Sequence, residues 1–373
     1  MKQSRLIVGT AFFAFLCGLA TFPGAAHAQQ NGYINGSITL FSFNPGSGAI
    51  VNSFYGAGSA EPFAVEQDDA TILTLGPFDY GLVNEVSGRT GQLEGSVAVY
   101  ALGWNGVALS PDGTKAYVTT HSGVDVIDTA TLSVGASIAQ NFDASDVALS
   151  PDGSTLYVAM YCADACEAPI SCPVLIGICA FNTDSLALEW YVKNVAGLLS
   201  VSDDGSMLYS AGFVFGNSPA YPLNAINTST RAVTNLEVPA GKAGNQPVRI
   251  ITDPASHYAV VIEQPSTNSY PMAASAYLLN TSTNKFVQTL FSSAPGGMAI
   301  INSAGAAAFA PNGKSVWMLL SCGVNAVPNC SDESGQIYLA GFSIPSGAVI
   351  SYQAVPGQFW DNADYKQSIA FPR

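Results

Sequence analysis

The chain has 373 residues, of which 48% are hydrophobic and only 10% charged. Sparse charge with many Gly, Ser, Thr, Asn and Val residues excludes a disordered chain and points to mostly buried strands. A net charge of −14 argues against nucleic acid as a partner, because an acidic surface repels phosphate backbones.

The chain starts with Lys2 and Arg5, continues through an apolar run over residues 6–19, and reaches Ala26-His27-Ala28 before Gln29. A basic start, a short apolar stretch and a small-x-small step predict a secretory signal peptide over residues 1–28. The apolar run is short for a spanning helix. Leu16 is too bulky to precede a lipoprotein cysteine at Cys17. The expectation is therefore an exported chain, periplasmic or extracellular, with no membrane insertion after cleavage. Residues 29–373 are expected to form one domain.

Six cysteines lie beyond the leader: Cys162, Cys166, Cys172, Cys179, Cys322 and Cys330. An even count in an exported chain reads as disulfides. The rival is a metal site at Cys162-x3-Cys166, but beyond the leader only His121 and His257 remain, and neither sits beside it. No metal and no cofactor are expected.

In chain order, the strongest signal is internal repetition. Residues 106–134 read GVALSPDGTKAYVTTHSGVDVIDTATLSV, and residues 146–160 return as DVALSPDGSTLYVAM. Further copies are SVSDDGSMLYSAG from Ser200 and AAAFAPNGKSVWMLL from Ala307. Each reads as an apolar strand, a tight turn whose Asp-Gly or Asn-Gly step supplies positive φ, and a second strand carrying an aromatic residue. A second marker is an apolar strand ending in Asx and small polar residues. It recurs at Asn44, Asp128, Asn182, Asn227 and Asn280, with variants at Ser343 and Ser87. These Asx and Ser/Thr turns join outer strands. Together the markers predict seven four-stranded units, an all-β, seven-bladed propeller. Residues 367–373 read as an inner strand and residues 31–55 as the three strands it lacks, so the two ends are expected to complete one blade and close the ring.

The stretch VALSPDGTKAYVTTHSGVDVIDTATLSV, with Tyr117-Val118-Thr119-Thr120, resembles the YVTN β-propeller repeat. The resemblance implies the fold. It also implies the company of surface-layer proteins, lactonase-like proteins and propeller subunits of amine dehydrogenases, and a fold alone chooses none of these.

Four antiparallel strands per blade place the SPDG and Asx turns on one face and all other connections on the opposite face. The long intervals 161–176, 215–221, 264–275 and 321–335 all fall on that opposite face, as do 239–247, 292–305 and 356–365. One-sided elaboration of a rigid scaffold marks a functional face. The cysteines gather there; Cys322 with Cys330 is the pair favoured by position, while pairing among the other four stays open. Tyr161, Phe213, Tyr221, Tyr270, Trp360 and Tyr365 are the aromatic candidates for contact with a protein, peptide or glycan ligand.

Catalytic signatures are weak. There is no G-x-S-x-G elbow, no phosphate loop and no Cys-x-x-Cys-His motif. His121, Glu263, Arg249 and Asp146 fall near the channel mouth and are the candidates for an acid–base site. A satisfied polar ring around the channel is the alternative. Three functional readings stand: an exported binding module, a lactonase-like hydrolase or lyase, and a propeller subunit of a periplasmic redox enzyme.

Overall fold

The computed structural model describes residues 31–36, 39–56, 63–66, 71–75, 81–99, 102–138, 143–161, 176–212, 222–239, 245–265, 275–291, 299–300, 307–321, 337–356 and 368–372. These residues form seven antiparallel sheets and, among them, no helix. The leader expected over residues 1–28 lies outside the described residues.

From the axis outward, blade one is built from Ser368–Ala370, Gly32–Asn35, Thr39–Phe43 and Ile50–Tyr55. Blade two comprises Phe63–Val65, Thr71–Leu75, Leu82–Ser87 and Leu93–Ala98. Blade three comprises Leu102–Leu109, Lys115–Thr120, Gly123–Asp128 and Ser133–Ile138. Blade four comprises Asp143–Leu149, Thr155–Tyr161, Ile176–Asn182 and Leu188–Lys193. Blade five comprises Leu198–Val201, Met207–Ala211, Leu223–Asn227 and Val233–Leu236. Blade six comprises Asn245–Thr252, Tyr258–Pro265, Ser275–Asn280 and Lys285–Phe291. Blade seven has two inner segments, Ala299–Ile300 and Ala307–Phe309, then Ser315–Ser321, Ile337–Ser343 and Val349–Ala354.

The inner strands of successive blades touch all the way round, and that of blade seven touches Ser368–Ala370 of blade one. The ring is therefore closed by the two chain ends, with Tyr33 opposite Ala370 and Ile34 opposite Ile369. Closure leaves no free inner edge and makes the seven-bladed propeller one continuous structure.

The repeat explains how neighbouring blades hold each other. In five blades an aromatic residue of the second strand faces a small residue of the inner strand. The pairs are Tyr33–Ala370, Tyr117–Ala108, Tyr157–Ala148, Tyr209–Ser200 and Trp317–Ala308. The small partner leaves room for a ring to pack. Several of these rings then reach the outer turn of the next blade. Tyr33 Oη donates to the Gly88 carbonyl at 3.4 Å, and Tyr209 Oη donates to Asn284 Oδ1 at 2.6 Å and the Thr281 carbonyl at 3.2 Å. Tyr117 meets Thr183. Trp317 continues the rule across the closure: a side chain at Gly48 of blade one would stand 2.8 Å from its ring. Its indole also lies 5.3 Å from Phe43, within the apolar cluster that joins blades six, seven and one.

The SPDG turns have one design. Asp112, Asp152 and Asp204 each accept a hydrogen bond from the serine two residues before and from the N–H and hydroxyl two residues after. Gly113, Gly153 and Gly205 follow with φ near +70°, a conformation that favours glycine. The Asx turns are capped similarly, as where Asn182 Oδ1 accepts from the N–H of Ser185 at 2.9 Å. Threonine hydroxyls tie the two turn types together: Thr129 to the Gly113 carbonyl (2.6 Å), Thr183 to Gly153 (2.7 Å) and Thr228 to Gly205 (2.8 Å). The two turn families thus share one face, as the repeat implied.

Candidate functional site

On the opposite face, most of the intervals singled out in the sequence lie outside the described residues. So do Phe213, Tyr221, Tyr270, Trp360, Tyr365 and the cysteines at 162, 166, 172, 322 and 330. Tyr161 ends the second strand of blade four, paired with Ile176. Cys179 is fully buried in the third strand of blade four and is disulfide-bonded, its partner being outside the described residues.

The described part of the site lies on the inner strands towards this face. Three of them are irregular there. The ladder shifts between Ala144 and Asp146 in blade four, between Pro247 and Arg249 in blade six, and between Leu102 and Val107 in blade three. A bulge bends a strand and re-aims the side chains beside it. In the repeat, Gly106, Asp146 and Arg249 hold the same place, just before the regular inner strand begins.

The three residues work as a set. Asp146 Oδ2 accepts the N–H of Leu199 in blade five at 2.7 Å and faces Nη1 of Arg249 in blade six at 3.9 Å. The carboxylate also takes the Val147 N–H. A side chain at Gly106 would stand 2.8 Å from Asp146 Oδ1, so glycine in blade three makes the space that aspartate fills in blade four. The contact therefore links blades four, five and six around the axis. Burial pushes the Asp146 carboxyl above its usual range, opposed by Arg249 and the two N–H groups. Burial likewise pulls the Arg249 guanidinium down, opposed by Asp146. At 3.9 Å the pair is longer than a direct charge-assisted hydrogen bond of about 2.8 Å.

The other two candidates have partners of their own. His121 follows the second strand of blade three, half exposed, with Nδ1 3.2 Å from Asp143 Oδ1 of blade four. Glu263, only 5% exposed, is at the far end of the second strand of blade six. It is opposite Pro247 and Ser275 and hydrogen-bonded to Tyr277. Burial raises its carboxyl, and the Tyr277 bond opposes the shift. The structure thus brings Asp146 and Arg249 together and engages His121 and Glu263 with other groups. His257 pairs with Asp203 at 3.0 Å on the turn face, well apart in the fold from His121. Among the described residues no cluster of His, Cys, Asp and Glu is arranged to hold a metal ion.

Sequence reasoning passed over Gly106, Leu199 and Tyr277. The signal for Gly106 was present: GVALSPDG and DVALSPDG differ first at this position. The Leu199 N–H and the Tyr277 hydroxyl carry no such mark, because they act through the packing of neighbouring strands.

No protein-family profile matches the chain, and no curated relative matches it. Solved structures do. One is Kuenenia stuttgartiensis hydrazine synthase, with a TM-score of 0.54 and 19% identity over 74% of this chain and 75% of that one. Another is dihydro-heme d1 dehydrogenase NirN in complex with DHE, with a TM-score of 0.51 and 14% identity over 94% of this chain and 78% of that one. At these identities the likeness is one of fold.

Proposed function

We propose that the chain is an exported YVTN-type propeller that works as a binding module through its loop-rich face, taking a protein, peptide or glycan ligand. The observation that carries this reading is the inequality of the two faces. On the turn face, Asp112, Asp152 and Asp204, with Asn182 and Asn227, are bonded within their own turns, and threonine hydroxyls tie the turn types together. On the other face the chain interrupts the repeat with long segments between 161 and 176 and between 321 and 337. The leader over residues 1–28 and a disulfide framework among the six cysteines belong to the same reading, supported by the bonded Cys179. A crosslinked loop holds its shape before binding, which reduces the ordering cost of recognition.

Strand pairing supplies the test. Tyr161 pairs with Ile176 and Ser321 with Ile337, so a two-residue Asn-Gly turn can close each ladder in place of residues 162–175 and 322–336. With Cys179→Ala, this variant is expected to melt cooperatively but to lose the binding that the intact protein shows on glycan and peptide arrays. Equal binding by both proteins would overturn the reading.

A second reading, a propeller subunit of a periplasmic redox enzyme, is favoured by the names of the two structural neighbours. It predicts a stoichiometric complex with a haem-bearing chain when the protein is purified from the cell that makes it. A protein that purifies alone, without haem absorbance, removes this second reading.

A further inference from the structure

Beyond the loops, blade six carries an unusual concentration of unpaired buried chemistry. Arg249 Nε and Glu263 Oε2 are buried and, among the described residues, have no hydrogen-bond partner. The two residues lie on adjacent strands on either side of one bulge, since Glu263 pairs with Pro247 and Arg249 with Ile262. Nearly all buried polar groups in folded proteins are paired, and leaving one unpaired costs about 1–3 kcal/mol. Two such atoms one register apart, beside an ion pair held open at 3.9 Å, make a set of groups with unused hydrogen-bonding capacity.

We propose that this corner of the channel mouth, formed by Arg249, Glu263, Asp146 and Tyr277, is a binding site for a neutral polyhydroxylated small molecule, a sugar or polyol. The unused groups differ in kind. Arg249 Nε is a donor that needs an acceptor, and Glu263 Oε2 is an oxygen that needs a donor. A hydroxyl supplies both at once, and a vicinal diol supplies two hydroxyls at the right scale. The charge balance selects against ions. Asp146 already opposes Arg249, so a carboxylate ligand would add an uncompensated negative charge in a protein of net charge −14. A cationic ligand would meet the Arg249 guanidinium. The site is rigid, because Asp146 is fixed by Leu199 from the neighbouring blade and Glu263 by Tyr277 on its own sheet.

The site is made from strands and not from the long loops, so its fate separates from that of the loop-face reading. The test is calorimetric titration and saturation-transfer NMR on the purified full chain with neutral mono- and disaccharides, alongside the corresponding uronic acids. The expected result is binding of a neutral sugar that is at least tenfold weaker in Glu263→Gln and in Arg249→Lys. Gln removes the acceptor oxygen pair, and Lys keeps the charge facing Asp146 but lacks Nε. Both variants should keep a cooperative melt, and the loop-shortened variant should bind the sugar as the intact protein does. Any of three results would overturn the proposal: no neutral sugar bound at millimolar concentration, a uronic acid preferred, or a sugar-soaked crystal with only ordered water between Arg249 and Glu263. Sugar binding lost with the loops but unaffected by Glu263→Gln would overturn it while leaving the loop-face reading standing.

Discussion

At one end of blades three, four and five, Asp112, Asp152 and Asp204 repeat the same hydrogen bonds within their own turns. At the other end of the inner strands, Asp146 and Arg249 form a contact that occurs once, reaches across three blades and leaves Arg249 Nε unpaired. The same strands run between these ends, so secondary structure does not explain the difference. The repeated end is locally self-sufficient, and every copy contributes equally to stability. The single-copy end depends on long-range packing, and its polar groups are under-used. Stability and recognition are thus divided between the two ends of each blade, as expected when a scaffold is held at one face and varied at the other.

The largest effect tests whether the repeated end holds the ring. Trp317 is fully buried and bridges blade seven to the turn of blade one at Gly48. Trp317→Ala removes that ring at the point of closure and is expected to cost about 3–5 kcal/mol in urea unfolding. A loss well under about 1 kcal/mol would mean that closure rests on the terminal strand alone.

The next effect belongs to the mouth. Asp146→Ala leaves the Arg249 charge and the Leu199 N–H buried without their partner, and a loss of about 3 kcal/mol is expected. Adding Arg249→Met to Asp146→Ala should restore most of it, because replacing both members of a buried pair with apolar groups is often nearly neutral. If the double variant is no more stable than the single one, the pair is not an isolated contact and the contrast with the self-sufficient turns is lost.

A smaller effect returns to the repeated end. Tyr209→Phe deletes the hydroxyl that joins blade five to Thr281 and Asn284 of blade six while keeping the ring. About 1 kcal/mol is expected, read as a shift in the urea midpoint with unchanged slope. The corresponding change at Tyr33, whose bond to Gly88 is 3.4 Å, should cost less.

The division also explains what could be read from the sequence. Blade number, four-stranded units, turn positions and closure by the two ends were all legible, because each copy of SPDG or Asn-Thr-x-Thr is local chemistry repeated many times. The use of the aromatic residue was half legible. Its place in the second strand is visible at Tyr117 and Tyr209, but its grip on the next blade's turn appears only once blades are side by side. The mouth was the least legible. Asp146 and Arg249 are about a hundred residues apart, and nothing in either segment marks the other. Placing them both near the starts of inner strands followed from the repeat, but their contact through Leu199 required the ring. Glu263 and Tyr277 are joined across one ladder, a pairing that register fixes and composition does not.

Acid titration separates the two ends by sign. The turn hydrogen bonds hold Asp112 down to about 2, and hold Asp152 and Asp204 below their ordinary value of 3.8. A carboxyl lowered on folding contributes stability that is complete above its unfolded value and disappears as pH falls through its folded one. The turns should therefore weaken the protein between pH 3.8 and about 2. Burial does the reverse at Asp146 and Glu263, which are raised from 3.8 and 4.5. Those carboxyls oppose folding when ionised, and that cost is relieved as pH falls through their raised values towards the ordinary ones. Asp253, the raised turn carboxyl of blade six, adds to this second group. The urea midpoint should accordingly hold or rise on acidification from neutral pH and then drop below pH 3.8. Asp112→Asn should flatten only the drop, by a small amount because Asp112 is exposed and two like turns remain. Glu263→Gln should flatten only the rise. If Asp112→Asn alters the profile near neutral pH and leaves the acid limb unchanged, the turn carboxylates are not what holds the repeated end.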